Sequence, residues 1–368
     1  MDRGSRRPPV ALALSLATAV LVAAAAPLGC GLLKGCRAKY PNFRARSYLV
    51  GDAHEHIKSR RQLNKLLDFM DRNGIWWSVL AAASDKTNLG PDADFTGYTE
   101  NNETVLNIAA THPARLVPFI TFDPKSPRKE KRVAYYLDRG ARGIMLYHGH
   151  SDFYTTRLDT PELFEVYDLA YKAGVPVLMH INTHKYLDQL DAVLGRMSKV
   201  KFICAHLCMS FTRPSVLERL LNDHDNLYVD LSFGHPDYIK EAFGWFGEKD
   251  ERREELRHLI EAHPDRFLFG SDLVFTDHPQ KNKAWLDAMA GSYFSWLGAK
   301  KLKFGLPAKD DFPGLALSEE TLEKIYSTNF REVILGGESL GDPKDEAVPN
   351  PKGLRPGDSD SDEVIEEK

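Results

Sequence analysis

The sequence predicts a (β/α)8 barrel, and three observations carry that prediction. Between residues 47 and 337, eight short apolar runs each lead into an amphipathic stretch. The apolar runs are continuous rather than alternating, as in strands that helices cover on both faces. Residues with metal-binding or acid–base chemistry sit at the C-terminal ends of several runs, the face where such a barrel does its work. An open doubly wound sheet is the alternative. No Gly-rich phosphate loop follows the first run, which weakens a nucleotide-binding version of it.

Taken in order, SYLVGDAH reads as a strand, and RRQLNKLLDFMDRNG as a helix closed by Gly74, a residue suited to the left-handed C-cap. WWSVLAAAS with NETVLNIAATHP, then RLVPFITFD with RKEKRVAYYLDRG, give the second and third units. The fourth strand is RGIMLY, and its helix PELFEVYDLAYKAG has Thr160 as N-cap and Pro161 at the first helical position. VPVLMHI with YLDQLDAVLGRMSK is the fifth unit, and KFICAHL with SVLERLLND the sixth. NLYVDLS with the helices IKEAFGWF and DERREELRHLIEAH is the seventh. RFLFGSD and the helical sequence after it complete the set. Of the tryptophans in the second unit, one is expected inside the barrel and one under a helix.

The ends of the chain read differently. Residues 1–35 carry a basic start, MDRGSRRPP, an apolar run and then small residues, the layout of an export signal. PLGC and LLKGC resemble a lipoprotein box, with Cys30 the favoured lipidation site over Cys36. The protein is therefore expected to be exported: periplasmic, or membrane-anchored through that lipid if bacterial. Residues 36–46 read as a linker, and 338–368 as an acidic tail too poor in large apolar residues to order itself. With 48 basic and 52 acidic residues, a net charge of -4, no basic face for nucleic acid is expected. The expected partner is a small-molecule substrate, and a homodimer is left open. Cys204 and Cys208 would lie roughly 13 Å apart along an extended strand, too far for a disulfide, so the fold is expected to lack one.

The chemistry collects at the strand ends. DAHEH places His54 and His56 after the first strand, VLMH places His180 after the fifth, CAH places His206 on the sixth, and GSD places Asp272 after the eighth. Residues two apart on a strand share a face, so His54 and His56 can address one ion, with His180 and Asp272 closing the set across the barrel. Imidazoles with a carboxylate suit zinc, and also Mn, Fe or Co. Asp230, ending LYVD, is placed to hydrogen-bond a liganding histidine. HGH at 148–150 and His184 read as loop residues near the mouth, and Arg157 as an exposed loop charge.

DAHEH, GARGIMLY, GVPVLMH, CAH, LFGSD and YSTNFREVI together resemble the amidohydrolase superfamily, in its amidohydrolase-related branch of TIM-barrel hydrolases and decarboxylases. The resemblance implies that His54, His56, His180 and Asp272 bind the metal, and that His206 and Asp272 act as acid–base or orienting groups. Two-metal members of the superfamily often carry a bridging carbamylated lysine on the fourth strand. Met145 stands there in this chain, so one divalent ion is expected. The expected activity is hydrolysis of an amide, ester or lactone through a metal-activated water. Non-oxidative decarboxylation on the same scaffold is the alternative, and a non-catalytic metal-binding lipoprotein the third reading.

Overall fold

A computed structural model describes residues 48–89, 95–147, 157–210, 213–234, 250–303, 311–338 and 340. The export segment with Cys30 and Cys36, the linker, HGH at 148–150, IKEAFGWF and the acidic tail beyond residue 340 lie outside the described residues. No described helix is long and apolar enough to cross a membrane.

The eight predicted strands form: β1 (Val50–Asp52), β2 (Ile75–Ala81), β3 (Leu116–Thr121), β4 (Gly143–Leu146), β5 (Val177–Met179), β6 (Phe202–Cys204), β7 (Leu227–Asp230) and β8 (Phe267–Leu268). They pair in sequence order from β1 to β8, each parallel to the next. Just past the strands, the Ala53 N–H donates to the Phe269 carbonyl at 2.8 Å, and Ile57 bridges Phe275 in parallel. Those bonds join the segment after β8 to the one after β1 and close the cylinder.

Local signals in the sequence explain the helices between the strands. The helix Leu63–Asn73 stops at Gly74, whose φ of 68° is the left-handed conformation that glycine adopts without steric cost. Thr160 caps Pro161–Ala173 by accepting from the Leu163 N–H, with Pro161 at the first position. Outside the strands the helices bury aliphatic faces such as Leu63, Leu66 and Met70. Inside, Val79, Phe119, Met145, Tyr147, Leu178 and Ile203 fill the barrel in a packed core. Phe330, from YSTNFREVI, plugs the end remote from the histidines. Its ring stacks on Trp77 at 5.8 Å and occupies the space that any Cβ on Gly51 would need. Trp76 is fully buried beneath the Arg115 guanidinium.

One expectation is overturned. Cys204 and Cys208 form a disulfide, with Cα atoms 5.0 Å apart. The extended-strand estimate fails because β6 ends at Cys204. The chain then coils through His206, Leu207, Cys208 and Met209, all with φ between 52° and 56°. That left-handed turn folds Cys208 back over the strand end and points His206 into the barrel mouth.

Candidate metal centre

All the predicted site residues lie just beyond regular strand, where the backbone is free to turn. His54 and His56 follow β1, and both rings reach the same point, Nε2 to Nε2 3.1 Å. The Asp272 Oδ1 stands 3.4 Å from His56 Nε2 and 3.8 Å from His54 Nε2. His54, His56 and Asp272 thus present ligand atoms within 4.8 Å of one another. The other Asp272 oxygen, Oδ2, faces His206 Nε2 at 3.8 Å. His180 is a neighbour of this group: its ring meets His206 edge-on at 4.6 Å, and it lies outside the mutually close set. Three of the four predicted ligands therefore converge, and the fourth stands beside them.

Hydrogen bonds fix which nitrogen faces the centre. The His56 Nδ1 is 2.5 Å from the Ala81 carbonyl, and a carbonyl only accepts, so Nδ1 carries the proton. The His54 Nδ1 donates to Asp230 Oδ2 at 2.7 Å. Each Nε2 therefore turns a lone pair toward the other and toward a carboxylate. Three such acceptors need positive charge among them, which a second proton on His54 supplies when no metal is bound, and imidazole nitrogens with one carboxylate are a donor set that suits a divalent transition ion. Asp230, predicted to brace a liganding histidine, does so at His54 and also accepts from the His206 N–H and the Ser232 hydroxyl at 3.0 and 2.6 Å. The His206 Nδ1 donates to the Ser232 carbonyl at 2.9 Å, leaving its Nε2 free to accept.

Charges follow from this packing. Burial alone would depress His54, but Asp272 and Asp230 outweigh it and lift the imidazole to about 9. Burial holds His56 down, at about 4. Burial would raise Asp230, yet His54 and His206 keep it well below the ordinary carboxylate range.

A second layer, missed in the sequence, sits behind the ligands. The Glu55 carboxylate is fully buried and accepts from the backbone N–H groups of His56 at 2.8 Å, Leu273 at 3.2 Å and Val274 at 2.8 Å. The Ser271 hydroxyl lies 2.5 Å from Asp52 and 2.8 Å from Glu55. One hydroxyl proton cannot serve both acids, so the pair holds a proton of its own, and burial pushes both carboxyls above the usual range. The only signal for this layer was the pair of acids in DAHEH. Tyr293 ties two site segments together: its hydroxyl donates to the Ser271 carbonyl and accepts from the Phe233 and Gly234 N–H groups. Gly234, at φ 66°, lies so close to Asp272 that a Cβ there would meet its carbonyl oxygen at 2.8 Å and collide with its carboxylate.

Residues 78–333 match the protein family described as amidohydrolase. The chain belongs to that family. Solved structures with this fold include a probable 2-pyrone-4,6-dicarboxylic acid hydrolase of Acinetobacter baumannii with citric acid bound, 15% identical at TM-score 0.53, covering 77% of this chain and 98% of its own. A 2,6-dihydroxybenzoate decarboxylase in complex with 2,6-dihydroxybenzoate is 15% identical at TM-score 0.52, covering 79% and 99%. A 5-carboxyvanillate decarboxylase of Novosphingobium aromaticivorans complexed with manganese is 13% identical at TM-score 0.50, covering 78% and 96%. No curated protein matches the chain. The neighbours span hydrolases and decarboxylases on one barrel, and the His/Asp cluster of this chain is the feature that can take a divalent metal.

The facing lone pairs give a pH signature. A His54 raised from 6.5 to about 9 stabilises the metal-free fold fully below pH 6.5, and that contribution is lost as pH rises through 9. The raised carboxyls at Asp52 and Glu55 act in the same direction, because the folded state again binds the extra proton. In chelator, stability is therefore expected to fall by about 2 kcal/mol between pH 7 and 9. With a divalent ion present the His54 part of the fall should disappear, since the ion replaces that proton, and only the smaller part due to Asp52 and Glu55 should remain. Thermal melts in both conditions check this, and parallel curves would sink it.

Proposed function

We propose that the protein is an exported, metal-dependent hydrolase that cleaves an ester, lactone or amide bond of a small molecule, with zinc as the first candidate ion and manganese, iron or cobalt as alternatives. One observation supports this most directly: the Asp272 carboxylate is shared, Oδ1 toward His54 and His56 and Oδ2 toward His206. Held by His54, His56 and Asp272, with His180 adjacent, a divalent ion would polarise a carbonyl and make a water acidic near neutrality.

The chain's own groups handle the rest. Asp272 Oδ2 and His206 Nε2 are two acceptors facing one another at 3.8 Å, so a water between them finds an acceptor for each proton. Asp272 takes one proton as the water attacks and returns it to the leaving oxygen or nitrogen. His206, its Nδ1 fixed by Ser232, holds the water or the attacked carbonyl in line. Tyr147 closes one side of the opening, its ring 6.2 Å from His56 and 6.5 Å from His180.

Decarboxylation is the second reading, supported by the two decarboxylases of similar fold. Arg157, the residue that could have favoured it, is committed elsewhere: its guanidinium forks onto Asp159 at 2.8 and 2.9 Å. Export is supported by the Cys204–Cys208 disulfide, which persists in oxidising compartments. The test is metal analysis of the purified protein with a screen of esters, lactones, amides and aromatic carboxylates. Activity that a chelator abolishes and one ion restores is expected. Release of carbon dioxide would transfer the proposal to the lyase, and a metal-loaded protein inert on every class would leave only a binder.

A further inference from the structure

His206 reaches the metal centre along a backbone path that its neighbours do not favour. β6 ends at Cys204, which is locked in the sheet between Met179 of β5 and Val229 of β7. One residue later the chain turns, with His206, Leu207, Cys208 and Met209 all at φ between 52° and 56°. Leu207, Cys208 and Met209 are residue types that a Cβ penalises there. The hydrogen bonds inside the turn run from the Cys208 N–H to the Ala205 carbonyl at 3.0 Å and from the Ser210 N–H to the Leu207 carbonyl at 2.9 Å. Water replaces bonds of that kind at little net loss.

The Cys204–Cys208 disulfide differs in kind. Along an extended strand residues 204 and 208 would stand roughly 13 Å apart, beyond the reach of any disulfide. Bonded, their Cα atoms are 5.0 Å apart. The covalent bond therefore excludes the straight path outright. Because Cys204 is fixed in the sheet, the bond pins Cys208 to the strand end, and His206 lies inside the loop that it closes. There the His206 N–H donates to Asp230 at 3.0 Å, Nδ1 donates to the Ser232 carbonyl at 2.9 Å, and Nε2 faces Asp272 Oδ2 at 3.8 Å. Both cysteines are fully buried, so the closed bond is shielded from soluble thiols.

We propose that the Cys204–Cys208 disulfide is a positioning element of the reacting site: it holds His206 opposite Asp272, and the site is complete only in the oxidised protein. The chemical consequence rests on the part given to His206 in the hydrolase reading; the positioning itself does not. Closing the bond takes one proton and one electron from each thiol and passes them to a small-molecule disulfide, which leaves as its two thiols. In the reduced chain the straight path reopens and the imidazole leaves Ser232 and Asp272. His54, His56 and Asp272 stand on other segments and keep the metal.

The experiment is proton–nitrogen NMR of the intact, zinc-loaded protein carrying isotope-labelled histidine. The probe is the His206 Nδ1 proton, which its bond to Ser232 protects from exchange, assigned by its absence in His206→Gln. The samples are oxidised protein, protein prepared in a phosphine reductant, C204A/C208A and C204A/C208G. The signal should be sharp in the oxidised protein and fall about tenfold in the reduced protein and in C204A/C208A, as the turned path becomes a minor state. Oxidised glutathione should restore it to the reduced protein. C204A/C208G should recover part of it with no covalent bond, because glycine takes positive φ freely. Zinc content should be equal throughout. An undiminished signal in C204A/C208A or in the reduced protein overturns the proposal, since hydrogen bonds alone would then hold the turn. So does a C204A/C208G signal no stronger than that of C204A/C208A, because the bond would act through something other than the backbone path. Loss of zinc together with the signal also overturns it, by showing that the bond holds the whole rim rather than His206. If C204A/C208A does not fold, the reduced protein decides on the same signal. No readout here uses a substrate, so an unaltered protein inert on every substrate class would sink the hydrolase reading and leave the positioning role standing.

Discussion

Replacing Asp272 with asparagine is expected to lower turnover about a thousandfold, the range for removing a positioned acid–base group, with little change in fold. The amide keeps the shape of the carboxylate, and one oxygen can still face His54 and His56. It cannot accept a proton from a water placed between residue 272 and His206. The substitution also removes the largest influence holding His54 protonated, the Asp272 charge. Asp272→Asn should therefore partly flatten the pH-dependent melting of the metal-free protein between pH 7 and 9, leaving the share due to Asp52 and Glu55. The two readouts together distinguish chemistry from collapse. Lost turnover with an intact fold and a partly flattened melt fits the assigned role. A variant that keeps its turnover while retaining metal would mean that another group takes the proton, and His206 would be the next to replace. The comparison should be made at equal metal occupancy, because asparagine is a weaker ligand than aspartate.

The barrel was legible because burial on both faces leaves a plain trace: eight continuous apolar runs, with glycine and capping residues such as Gly74 and Thr160 marking the joints. The convergence of His54, His56 and Asp272 was legible for the same reason, since strand ends in a closed barrel meet at one rim. Legibility ended where the backbone leaves regular geometry. The reading of Cys204 and Cys208 assumed a strand that the left-handed turn at His206–Met209 interrupts, and four consecutive non-glycine residues at positive φ leave no compositional mark. His180 was placed in the ligand set by its position at the end of the fifth strand, and its ring stands beside the cluster, edge-on to His206. Glu55 is the sharpest case. In sequence it is an acid between two histidines, indistinguishable from a solvated charge, and its partners lie more than 200 positions away.

Glu55 also carries the largest stability effect expected outside the reacting groups. Asp272 and Val274 have φ of 50° and 53°, a left-handed conformation unfavourable by roughly 1–2 kcal/mol for each non-glycine residue. What holds that segment in place is one buried carboxylate: Oε1 takes the His56 and Val274 N–H groups, and Oε2 takes the Leu273 N–H and lies by the Ser271 hydroxyl. The same group therefore grips both sides of the metal centre, the His54–His56 segment and the Asp272 segment. Glu55→Ala leaves these donors buried without an acceptor, at about 1–3 kcal/mol each before water enters to relieve them. A net loss of about 4 kcal/mol is expected, lowering the melting temperature by about 10 °C. Metal occupancy should fall with it, because Asp272 is no longer held opposite the imidazoles. Glu55→Gln retains one oxygen but turns an amide N–H toward the Leu273 N–H, so its loss should lie between the two. The order glutamate, glutamine, alanine in both melting temperature and metal content is the expected result. If Glu55→Ala melts with the unaltered protein and keeps its ion, the backbone of 271–274 is held by something other than this carboxylate, and the division of Asp272 between the ligand pair and His206 loses its structural cause.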